Sequence, residues 1–80
     1  MADYVATFHT HLAALRSCRA LTGAGVEARM APVPRSLSSS CGTCVLYRGT
    51  SPMEESMDRD LEAVYRRESG GYRLVCGGEE

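Results

Sequence analysis

Eighty residues with 44% hydrophobic content and a formal net charge of -1 describe one small domain, near the lower size limit for folding unaided, and exclude a bulk nucleic-acid binder. All nine basic residues are arginines, and Ile, Asn, Gln and Trp are absent, a bias that fits GC-rich coding and carries no function. No apolar run approaches the roughly 20 residues of a membrane span, and the opening MADYVATFHTH lacks a basic segment followed by an apolar one, so a cytoplasmic protein with reduced thiols is expected.

In chain order, DYVATF (Asp3 to Phe8) reads as a first strand. Thr10 then suits a helix N-cap, because its hydroxyl can accept from a free backbone N–H. Leu12, Ala14, Leu15, Cys18 and Leu21 follow at helical spacing, and Gly25 suits the C′ position. Val26, Ala28 and Met30 alternate along a second strand, which Pro32 and Pro34 end because neither can donate to a ladder. RSLSSSCG is a loop by composition, and TCVLYRG is a third strand. SPMEES predicts a second helix: Ser51 as N-cap, Pro52 at N1, Glu54 closing a capping box. Met53, Met57, Leu61 and Val64 make its apolar stripe, and Arg66 and Arg67 suit its C-terminal dipole. Gly70 and Gly71 turn the chain into a fourth strand, YRLVC.

The order βαββαβ predicts an α+β ferredoxin-like sandwich, a four-stranded antiparallel sheet in order 4-1-3-2 with two helices on one face. It forms a single domain over residues 1–80, with 77–80 a short flexible tail. The uncovered sheet face predicts a homodimer, since apolar patches seek partners. Strands 1 and 3 would be neighbours, so His9, Thr10 and His11 would face the loop that holds Arg35, the serines and Cys41.

That loop carries the candidate chemistry. A reactive cysteine works as the thiolate, which nearby positive charge or a helix N-terminus favours. Arg35 and the first helix N-terminus are expected close to Cys41. Thr10, Ser38, Ser39 and Gly42 would help build an anion-binding nest around it. Two other readings stay open. Cys41-Gly42-Thr43-Cys44 is a C-x-x-C that could work as a redox dithiol with Cys44 resolving. Extended residues three apart point to opposite faces, however, so a disulfide would need an irregular strand start. Cys41, Cys44, His9 and His11 are also a conceivable metal-ligand set, although alternate histidines need not converge. Cys18 reads as core, and Cys76 as remote from the loop. The CGGEE ending is similar to the diglycine tail of ubiquitin-like sulfur carriers, but two glutamates follow the glycines and the element order is wrong.

Pro34-Arg35, Leu37-Ser38-Ser39 and Cys41-Gly42, with Phe8, Thr10 and Ala14 as a second pattern, are motifs of a known family. From Tyr4 to Tyr47 the chain resembles the small bacterial selenium/sulfur carrier-like domains. It departs at Cys18, where the family usually carries a charged residue, and at Cys44, where a small apolar residue is more usual. His9 and His11 are not family hallmarks. Cys41 is thus supported by both the residue reading and the resemblance. The resemblance implies a carrier or accessory protein, not a self-sufficient enzyme. Cys41 would hold a persulfide or selenium adduct and exchange it with donor and acceptor proteins. The alternatives are a thiol redox or metal-handling protein using Cys41 and Cys44, and a small interaction or regulatory domain.

Overall fold

The computed structural model describes residues 1–37 and 39–77. Its elements are β1 (Ala2–Phe8), α1 (His11–Gly23), β2 (Glu27–Pro32), β3 (Thr43–Gly49), a 3-10 turn (Glu54–Ser56), β4 (Leu61–Glu68) and β5 (Gly71–Gly77). The strands form one sheet in the order β2-β3-β1-β4-β5, with every neighbouring pair antiparallel. Tyr4 through Phe8 are all buried, a run that fits a central strand paired at both edges. β3 and β4 flank it accordingly.

One face of the sheet packs on α1. Tyr4, Ala6 and Phe8 of β1 meet Val45 and Tyr47 of β3 and Val64 of β4 there, against Ala13, Ala14 and Leu21 of the helix. Phe8, Leu21, Val45 and Val64 are fully buried, and each such side chain contributes about 1.5–3 kcal/mol. Thr10 caps the helix by accepting from the Ala13 N–H. At the other end, Val26 N–H donates to the Leu21 carbonyl and Gly25 N–H to that of Thr22, the paired bonds of a Schellman motif. The buried stripe is Ala13, Ala14, Ser17 and Leu21, whereas Leu12 is 52% exposed. The small residues let the helix approach the sheet closely, and Ser17 Oγ accepts from the Asp58 N–H at 2.9 Å.

The ferredoxin-like sandwich is overturned, because there is one helix and a fifth strand. The segment expected to be the second helix splits. Met53 adopts a left-handed conformation (φ 57), and helical structure lasts only from Glu54 to Ser56. Asp58 then closes an Asx turn, its carboxylate accepting from the Asp60 N–H, and the chain extends from Leu61. The competing pull is the open edge of β1. Leu61 and Val64 fit a helical stripe, but Ala63, Val64 and Tyr65 serve equally as a strand, and there they complete the ladder of the buried strand. The predicted tail also shortens: Gly77 is the last residue of β5, and residues 78–80 lie outside the described residues.

The helix-free face is ordered in three rows across the strands. The first is a charge ladder, Glu27, Arg48, Asp3 and Arg67, ending at Tyr72. The second is Arg29, Leu46, Val5, Tyr65 and Leu74. The third is small: Ala31, Cys44, Thr7, Ala63 and Gly77. Cys44, Thr7 and Ala63 are buried although no helix lies over them. Cys44 Sγ–H donates to the Pro32 carbonyl at this end, and Val33 N–H to that of Gly42. No helix among the described residues is long and apolar enough to cross a membrane.

Candidate functional site

The site is built where β1 ends and β3 and β4 begin. Pro32 stops the β2 ladder, and the chain returns at Thr43, with Val33 N–H donating to the Gly42 carbonyl to close the loop. Two serines fasten it. Ser39 Oγ donates to the Phe8 carbonyl at 3.0 Å. Ser40 donates its N–H to both Glu62 carboxylate oxygens and its hydroxyl to Oε2 at 2.6 Å. His9 Nδ1 lies 3.3 Å from the same Oε2 and 3.4 Å from Ser40 Oγ. Glu62 falls where the β1–β4 register shifts, between the Thr7–Ala63 and Phe8–Leu61 pairs, which leaves its side chain free of the ladder alternation. Partial burial works to raise its carboxyl, but the hydrogen bonds from Ser40 and the nearby His9 outweigh that, and the net direction is downward. The carboxylate therefore stays charged as the anchor of the loop.

This arrangement is not a nucleophile triad. The imidazole meets carboxylate and hydroxyl through the same nitrogen, and the carboxylate itself holds the serine. Its effect is to hold the backbone immediately before Cys41.

Cys41 is half-buried, with Sγ 3.6 Å from the Thr43 carbonyl. Gly42 turns the chain into β3 with φ 75, a conformation that favours glycine. His11 Nδ1 is 3.4 Å from Thr43 Oγ1, so both histidines border the loop end, each on a different partner. Cys44 is in another setting. It is 0% exposed, its Sγ–H donates to the Pro32 carbonyl at 3.6 Å, and burial pushes its pKa up to about 11. Cys18 and Cys76 pack against the apolar core. Cys76 pairs in register with Val64, so it lies at the same sheet end as the loop but on the helix side; burial, then the nearby Glu54, push its thiol up. All four cysteines are free thiols.

The other sequence candidates are distributed as follows. Thr10 uses its hydroxyl as the helix cap. Ser39 is a loop anchor. Arg35 is exposed, and among the described residues it makes no ion pair. Ser38 lies outside the described residues. Among the described residues no group of three or more His, Cys, Asp or Glu side chains converges as a metal site. Ser40 and Glu62 were not singled out from sequence. Glu62 stood inside the expected second helix, and only its place on a strand beside β1 brings it to the loop.

A family model described as "Putative Se/S carrier protein-like" matches residues 3–59. The chain belongs to this family. The match runs from β1 through the 3-10 turn and includes the whole Cys41 loop; it ends before the β4–β5 hairpin. The chain is also similar to the "Uncharacterized protein YtiA" of Escherichia coli (strain K12), with 27% identity over 80 residues, covering 95% of this chain and 92% of that protein. No solved structure matches the chain.

Proposed function

We propose that the protein is a carrier of reactive sulfur or selenium and that Cys41 is the carrying residue. The observation that supports this most is the contrast among the thiols: Cys44 is buried, and of the three half-buried thiols Cys41 alone stands on the anchored loop, while Cys18 and Cys76 pack against the core from α1 and β5. The family description points to the same chemistry.

Loading is an exchange at sulfur. The Cys41 thiol gives its proton to solvent, and the thiolate attacks the outer sulfur of a donor persulfide, R–S–SH. The Cys41–sulfur bond forms, the donor S–S bond breaks, and the donor leaves as R–S⁻. The product is Cys41–S–SH, with no net oxidation. A selenium donor R–S–SeH reacts in the same way at selenium. An acceptor thiolate then attacks the outer atom and releases Cys41. A part-exposed thiol suits both steps, because donor and acceptor must each reach it.

The test is reconstitution. The reduced protein is mixed with glutathione persulfide, and the mass of each variant is read. The expected result is the gain of one sulfur atom in the wild type and in Cys44→Ser, and none in Cys41→Ser. A Cys41→Ser variant that loads as fully as the wild type would overturn the assignment. Loss of loading in Cys44→Ser with its fold intact would transfer the function to the dithiol.

A further inference from the structure

The helix-free face contains a depression of about 330 Å³, within the size range of small-molecule sites. Its floor includes Val5 and Leu46 from the two central strands. Pro34, at the start of the Cys41 loop, and Tyr72 of β5 stand at its margins, and Arg29 and Arg67 reach it from β2 and β4. The charges are unevenly matched. Arg48 is paired with Asp3 at 2.9 Å, and Glu27 is next to Arg48 in register. Among the described residues neither Arg29 nor Arg67 has an ion-pair partner. Three arginines against Asp3 and Glu27 leave one positive charge in excess.

We propose that this depression binds a small organic monoanion, a carboxylate with an apolar body. The carboxylate pairs with Arg29 and reaches toward Arg67, since a guanidinium fork suits two carboxylate oxygens. The apolar body lies on Leu46, above the buried Val5 and next to Pro34 and the Tyr72 ring. A single charge is favoured because the excess is one and because Asp3 and Glu27 repel a second. An acidic peptide meets that repulsion repeatedly. A two-fold dimer through this face would set concavity against concavity and leave both unfilled. This site is separate from Cys41 and does not depend on the carrier reading.

The test uses the full chain, uniformly labelled with nitrogen-15 and titrated with phenylacetate and its neutral analogue phenylacetamide. Saturable shifts are expected at the amides of Arg29, Leu46, Val5 and Tyr72, with phenylacetamide and the Arg29→Ala variant each weaker by about tenfold or more. Arg73→Ala, whose partner is Glu68 on the hairpin, should bind like the wild type. Equal binding of phenylacetamide, equal losses in both variants, or an unaltered spectrum would overturn the proposal. So would tighter binding of a hexaglutamate peptide at these residues, or the same shifts on concentrating the protein alone, which would assign the face to a peptide or a second copy.

Discussion

Cys41 and Cys44 belong to one short motif and occupy opposite environments. Cys41 is half-buried and stands on a loop held by Ser39, Ser40 and Glu62. Cys44 lies in the row of small residues on the helix-free face, between Ala31 and Thr7, donating to a carbonyl and kept protonated by burial. The difference shows that spacing alone does not fix a thiol's environment. Where a C-x-x-C enters a strand, the strand's own burial decides the fate of its second thiol.

The largest expected effect is kinetic. Iodoacetamide near neutral pH should alkylate Cys41 at least on the order of a hundredfold faster than Cys44, because Cys44 must first be exposed by local opening and then lose its proton. Peptide mapping after timed labelling reads both rates. Comparable rates would erase the distinction between the two sites.

Packing sharpens it next. Cys44→Leu should cost about 1–3 kcal/mol through overpacking, whereas Cys41→Leu should stay within about 0.5 kcal/mol. Urea denaturation of both variants measures this, and equal losses would show that the loop is as tightly packed as the row beneath it. Gly42→Ala falls in the same range, at about 1–2 kcal/mol, because φ 75 strains any residue with a Cβ.

The two sites also respond oppositely to pH. The Cys44 thiol has a raised folded pKa, so its stabilisation is complete below the unfolded value of about 8.5. It is lost as pH rises toward about 11. Cys44→Ala should flatten that alkaline decline in chemical denaturation. Glu62 has a lowered folded pKa, so its hold on the loop is complete above the unfolded value of about 4.3 and is lost as pH falls through the lowered folded value. Glu62→Gln should imitate the acid state at neutral pH. The smallest effect follows from it: a loosened loop and a change of about two- to threefold in the Cys41 alkylation rate, with Cys44 unchanged. A change at Cys44 as large as that at Cys41 would mean that Glu62 supports the sheet more than the loop.

The same contrast of local and distant causes decides what was legible in the sequence. β1, α1, β2 and β3 carry their own signals. The Thr10 cap, the Gly25 terminus and the prolines after Met30 act within a few residues. Ser51 to Arg67 carries signals of equal local strength and takes another path. Its capping box competes with the free edge of β1, a demand made by residues some fifty positions away. From that one error came the ferredoxin-like expectation and the omission of Glu62. The meeting of His9 with the serine loop was legible, because it needs only β1 and β3 side by side. Leu12, expected on the apolar stripe, is exposed and Ser17 is buried, because apolar periodicity does not foresee that a helix rich in alanine packs by its smallest side.

Intact-protein mass spectrometry of the protein isolated from its own cells without reductant, repeated after reduction, tests the carrier reading most directly. The account predicts a fraction heavier by one sulfur or selenium atom, with the added atom on the Cys41 peptide, removed by reduction and absent from Cys41→Ser. A loss of two hydrogens with Cys41 linked to Cys44, or a load that persists in Cys41→Ser, would contradict it.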